Sequence, residues 1–224
     1  MDKIKNMGVD NLVEVGSNVE VNGSINGNGN IITIKDAPLG SSLRIIINGN
    51  NNKITIGQNS RCRNLDVRIG NHVHAYETLL SIGDDFSCEH DCKFVLYNSG
   101  NKLEIGNDCM FSNSIIVRCG ESPHLIFDNI TGEYLDVSEG VKVGNHVWIG
   151  EMSYITKRCW IPDESIVAAC SVATRHFEDP HSVIGGNPAK VIRENVKWIR
   201  NRGSFEEGSS FQKSYLEANN KFRR

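Results

Sequence analysis

The stretch from Val143 to Val172 reads VGNHVW IGEMSY ITKRCW IPDESI VAACSV, five six-residue units in perfect register. Val143, Ile149, Ile155, Ile161 and Val167 lead the units. The compact residues Val147, Ser153, Cys159, Ser165 and Ser171 follow four places later. Repetition at this period predicts a parallel β-helix, in which three short strands make one coil and coils stack at strand spacing, roughly 4.8 Å. The lead residues then line the interior.

Upstream the pattern continues less evenly, with Ile-Gly pairs beginning at Ile56, Ile69, Ile82 and Ile105. The segment IGDDFS CEHDCK FVLYNS, from Ile82, reads as one coil. Five residues are inserted before the next coil begins at Ile105. Runs such as VNGSINGNGN and IINGNNNKITIG place Asn and Gly beside short Ile/Val segments. Those residues tolerate left-handed backbone and so mark sharp corners between strands. A disordered loop region fits badly, because the intervening segments are apolar and β-branched. The hexad register fades before residue 54.

Composition bounds the rest. The chain has 224 residues, 39% of them apolar, enough for one core and a short appendage. No apolar run approaches about 18 residues, and the first twenty residues are interrupted by Asp, Glu, Asn and Gly, so neither a membrane span nor a signal peptide is expected. The chain reads as cytoplasmic. Seven cysteines, none in a CxxC pair, speak against a disulfide framework or a structural zinc site and read as buried thiols. A net charge of −3 with 7% aromatics argues against a nucleic-acid binder. From Thr174 onward, however, 10 Lys and Arg face 6 Asp and Glu.

One segment breaks the regularity. RCGESPHLIFDNITGEYLDVSEG, residues 118 to 140, leaves the repeat just before its strictest part and carries His124 out with it. Three stretches together resemble the hexapeptide-repeat acetyltransferases: SPHLIFDNITGEYLD (122 to 136), VGNHVWIG (143 to 150) and SVIGGNPAKVIRENVKWIR (182 to 200). A lone hexad run would say little, since inert scaffolds share it. The combination resembles bacterial O-acetyltransferases of capsule and lipopolysaccharide sugars, including the sialic-acid capsule enzymes, over roughly residues 50 to 202.

The resemblance implies an all-β, left-handed parallel β-helix with an extruded loop at 119–140. That hand runs against the general right-handed crossover rule. The expected organisation is a catalytic β-helix over 1–188 and a C-terminal helix and polar tail over 189–224. PAKVIRENVKWIRNR reads as a short helix with Val191, Ile192, Val196 and Ile199 on one side. The implied reaction moves acetyl from acetyl-CoA to a sugar hydroxyl in a homotrimer with the cofactor between subunits. A carbohydrate acceptor and no nucleic acid or membrane partner follow.

Carried over residue by residue, His124 is the general base. A sugar hydroxyl is a poor nucleophile at neutral pH, and imidazole, with a reference pKa of about 6.5, can take its proton as it attacks the thioester. Relatives commonly show an Asp two residues before the histidine. Here that position is Ser122, after Glu121, so Glu121, Asp128 or a backbone carbonyl is left to orient the ring. Trp148, at the outward sixth place of its hexad, matches a tryptophan near the acyl-transfer centre. A bare structural contact is the competing reading of Trp148, and a solvent-exposed loop histidine that of His124.

Coenzyme A carries a diphosphate and a 3′-phosphate, and these need cations and backbone N–H donors. Lys157, Arg175, Lys190 and Arg193 are the matching cations, and Gly150 and Ala169 the small residues along the pantetheine arm. Each lysine could equally be a solvated surface charge. His72, His74 and His90 are too loosely placed to predict a metal site; His146, His176 and His181 carry no assignment. Two other functions compete: N-acetylation of a nucleotide amino sugar, and a non-catalytic β-helix scaffold, which would leave the loop histidine unexplained.

Overall fold

The computed structural model describes residues 3–220. The chain winds as a three-faced prism of short parallel strands. Face one is a seven-stranded sheet running from Leu12–Val15 through Ile31–Ile34, Lys53–Ile56, Leu79–Ile82, Lys102–Ile105 and Gly140–Val143 to Trp160–Ile161. Face two follows along each coil with Ser87–Cys88, Met110–Phe111, Trp148–Ile149 and Ile166–Val167. Face three closes it with Lys93–Leu96, Ile116–Arg118, Tyr154–Thr156 and Val172–Ala173. All pairings among these strands are parallel.

The strict hexads occupy the last coils as their spacing requires. Ile149, Ile155, Ile161 and Val167 are fully buried, and Ser153, Cys159, Ser165 and Ser171 turn inward beside the corners. In wider coils the bore is filled by Phe86, Phe94 and Phe111, whose rings meet edge to face at 5.1 and 5.8 Å. Burying each such side chain contributes about 1.5 to 3 kcal/mol. Six of the seven cysteines are buried thiols and Cys170 is exposed.

The weak register before residue 54 has a physical cause. Val19–Asn26, Ser41–Asn48 and Arg61–Ile69 each cross faces two and three as one continuous strand, without the corner that would make a hexad visible. Cys62 of the last pairs with Cys88 on face two, whereas Asp66 to Ile69 pair with Lys93 to Leu96 on face three. Between faces one and two the corners are regular. A glycine ends the strand, and the next residue's N–H binds the Asx side chain of the following coil: Gln58 to Asp84, Asp84 to Asn107, Asn107 to Asn145 and Asn145 to Asp163, at 2.7 to 2.9 Å. The left-handed residue is the one after, Asn59, Asp85, Asp108 or His146, rather than the glycine.

The C-terminal region departs from expectation. Ala189–Arg193 is a strand, antiparallel to Val183–Gly186, not the start of a helix. Its alternation of Ala189 inward, Lys190 outward and Val191 half-buried satisfies a sheet edge that the last coil would otherwise leave open. Trp198 and Arg200 then fold back across face two. The short helix lies later, at Ser210–Asn220, capped by the Ser209 hydroxyl accepting from the Gln212 N–H. Among the described residues no helix is long and apolar enough to cross a membrane.

Candidate active site

The excursion is measured by the ladder itself. Lys142 pairs with Trp160, eighteen residues on, but Lys102 pairs with Gly140, thirty-eight on. The extra chain leaves the prism between faces three and one and forms a small hairpin. Leu135 N–H bonds the Ile126 carbonyl at 2.7 Å, and Phe127 bridges Tyr134 with rings 5.4 Å apart. At the tip, Asp128 accepts from the Ile130 and Thr131 N–H groups at 2.9 and 2.7 Å, which hold its carboxyl below the usual carboxylate range. Gly132, at φ 72°, completes the turn.

Its base is locked. The Asp136 side chain is wholly buried and accepts from the Lys157 ammonium, the Glu121 N–H at 3.0 Å and the Asn98 amide at 3.1 Å. Burial alone would raise the Asp136 carboxyl, but Lys157, with those two donors, outweighs it and holds the group below its ordinary value. Asn98 also accepts from the Ser122 N–H, Asn101 donates to the Ser138 carbonyl, and Asn71 reaches from a lower coil to the Ser122 carbonyl. Asp136, Asn98, Asn101 and Asn71 escaped the sequence reading, and Lys157 entered it only as a cofactor cation. The one signal was Asp136 itself, the acid at the hairpin's return.

His124 stands on this anchored base with its side chain exposed, its N–H bonded to the Glu121 carbonyl at 3.0 Å. Neither carboxylate considered for it is free. Glu121 pairs with Arg118 at 3.1 Å and lies 3.8 Å from Lys157, and Asp128 closes its own turn.

Trp148 faces outward on face two, half-buried. Its indole N–H donates to the Ser112 hydroxyl at 3.2 Å, and its ring lies 6.2 Å from Trp198. Trp198 donates to the His146 carbonyl at 2.8 Å and packs on the His146 ring, whose Nδ1 is 3.0 Å from Asp108. Arg200 clamps Asp108 at 2.8 Å and the Ser87 hydroxyl at 2.7 Å. The returning C-terminal chain thus covers one side of Trp148.

The six residues expected to hold the cofactor fall in three places, two corners of the prism and its terminal hairpin. Gly150 and the exposed Ala169 lie at the corner between faces two and three, where a Cβ on Gly150 would sit 2.6 Å from the Ala169 nitrogen. Lys190 and Arg193 are exposed on the terminal hairpin that extends face two. Lys157 and Arg175 belong to the corner between faces three and one, with Lys157 committed to Asp136 and Arg175 resting over Phe177. In a triangular prism the edge that bears His124 is opposite the face that bears Trp148. One chain therefore does not bring its own pair together. Among the described residues no group of three or more His, Cys, Asp or Glu side chains converges as metal ligands.

A parallel three-faced coil with one anchored arm is the fold shared by the left-handed β-helix acetyltransferases. No protein-family model matches it. It is 30% identical over 189 residues to the polysialic acid O-acetyltransferase of Neisseria meningitidis, covering 78% of this chain and 87% of that protein. Its fold matches the crystal structure of the polySia specific acetyltransferase NeuO, with TM-score 0.66, 22% identity and 97% and 98% of the two chains covered. The polysialic acid O-acetyltransferase OatWY matches at TM-score 0.57, 23% identity and 97% and 99% coverage. The chain belongs to the hexapeptide-repeat acetyltransferase family.

Proposed function

We propose that the chain transfers acetyl from acetyl-CoA to a hydroxyl of an acidic capsular polysaccharide, polysialic acid being the acceptor its relative's name suggests, within a trimer whose sites lie between subunits. One observation carries the reading: His124 and Trp148 occupy an edge and the face opposite it, so only a second copy can complete the pair. The arm supports this, since Leu125, Phe127 and Ile130 are exposed apolar side chains on a base too well anchored to be a floppy loop. Ile116, Tyr154 and Val172 form a largely apolar outward column on face three, suited to packing around a threefold axis.

In this reading His124 accepts the hydroxyl proton as the sugar oxygen attacks the thioester carbonyl. The tetrahedral intermediate collapses, the carbon–sulfur bond breaks, and the departing thiolate takes the proton back as free coenzyme A. Trp148 walls the cleft from the neighbouring subunit, and Lys190 and Arg193 face the cofactor's phosphates. Lys157 serves the arm rather than the cofactor, because Asp136 already holds its charge.

The test is acetyl transfer to polysialic acid, followed by mass spectrometry of the product. His124→Ala is expected to lower kcat by roughly 100-fold or more while leaving acetyl-CoA affinity nearly unchanged. A variant that keeps most of its turnover at saturating acceptor would remove His124 from the chemistry.

A further inference from the structure

Beside the arm, face one carries a run of side chains that the proposed mechanism does not use. Glu104, Lys142 and Trp160 are consecutive outward rungs of the ladder, and Trp160 bridges to His176 on the next. The Lys142 ammonium lies 4.7 Å from the indole centroid, and the His176 ring stacks on the indole at 4.2 Å and 29°. Trp160 remains 38% exposed even so. Together they line an open groove of about 550 Å³.

Two features make this groove more than a patch of solvated charge. Its side-chain donors are unspent: among the described residues the Lys102 and Lys142 ammonium groups, the Trp160 indole N–H and the His176 ring have no carboxylate or carbonyl partner. Its wall is the arm itself, because Arg158, which also lines the groove, donates to the Leu135 carbonyl at 2.6 Å and to the Val137 carbonyl at 2.7 and 2.9 Å. A ligand seated here therefore abuts the element that carries His124. Glu104 and Glu139 line the same groove and can accept from hydroxyls or an amide N–H. Cation and indole N–H for a carboxylate, aromatic surface for ring carbons, and carboxylates for hydroxyls together fit a polyhydroxylated acid better than a bare phosphate.

We infer that the Lys142, Trp160 and His176 ladder is a subsite for a carboxylate-bearing residue of the acceptor chain, away from the residue being acetylated. The inference rests on the acidic-polysaccharide reading above. It gives the long, linear face of the prism a role: the polymer is gripped one or more residues from the reacting hydroxyl, and this grip favours long chains over short ones.

The experiment uses the full chain. Intrinsic fluorescence is titrated with polysialic acid, disialic acid and neutral dextran in the absence of acetyl-CoA, for wild type, Trp160→Leu, Trp160→Phe and Lys142→Ala. Steady-state kinetics and light scattering are run on the same proteins. Wild type should respond to polysialic acid and not to dextran, and Trp160→Leu should lose the response. Lys142→Ala and Trp160→Leu should each raise KM for the long polymer about tenfold, the loss of one charge-assisted or stacking contact, with kcat and the acetyl-CoA KM nearly unchanged. Trp160→Phe, which keeps a ring and loses the N–H, should fall between. A rise confined to the acetyl-CoA KM would make the groove part of the donor site. Dissociation of the assembly would make it a subunit contact. Unchanged polymer KM, or no binding of polysialic acid by wild type, overturns the inference as well. Tryptophan-dependent binding without acetyl transfer would instead sink the functional reading and keep the groove.

Discussion

Asp136 shows how much depends on one side chain. Its carboxylate is buried, yet Lys157 and two amide donors keep it ionised, so the pair closes the base of the arm as a strut. Asp136→Asn retains the shape and removes the charge, and should cost about 2 kcal/mol of stability at neutral pH, the scale of a hydrogen bond to a charged group. The sign of the pH dependence follows from the depressed value. Asp136 ionises below the ordinary 3.8, so its stabilising effect is complete above about pH 4 and is lost as pH falls further, through the folded-state value. Urea melts of the two proteins at neutral pH and in the acid range check this. A stability gap that widens on acidification would contradict the assignment.

At the scale of the element, the corner between faces one and two explains the recurrent Ile-Gly-Asx. The glycine is small because the next coil approaches it, and the Asx is there to bind the N–H of the coil before. A Cβ on Gly106 would lie 2.6 Å from the Gly144 carbonyl oxygen and 2.7 Å from the Asn145 side chain, both held in place by the ladder. Gly106→Ala should therefore cost about 2 kcal/mol or more, as for overpacking a rigid site. Gly100, at φ 73° with open space around its would-be Cβ, is the control: its alanine variant meets only backbone strain, of about 1 kcal/mol. Denaturant midpoints compare the two. Equal losses would mean that glycine serves this corner for its backbone freedom alone.

For the whole molecule the question is whether a site shared between copies can be demonstrated directly. Co-expressing His124→Ala and Trp148→Ala chains offers a test, because each supplies what the other lacks. In randomly mixed trimers about a quarter of the interfaces pair an intact arm with an intact face, so activity should return to roughly that fraction of wild type although each variant alone is nearly inactive. Mixed protein no more active than its parents would place both residues in one subunit's site, or one of them outside it.

The strict hexads from Val143 determined the inward set of the last coils residue by residue, since a buried lead position every six residues fixes which side chains fill the bore, although not the hand of the winding. The departure at residues 118 to 140, and His124 within it, was equally legible because it breaks a period. Trp160 was legible too, and passed over: it holds the same sixth place as Trp148. What sequence could not show was which separate stretches meet. The helix expected at Ala189 became a strand because an open sheet edge was waiting for it. Asp136 became a strut only because Lys157 and Asn98, from neighbouring coils, arrive beside it. Trp198 and His146 likewise meet across fifty-two residues. Period and side-chain character are local properties written along the chain, whereas unsatisfied edges, buried charges and stacked rings are settled by neighbours that only the coiling brings within reach.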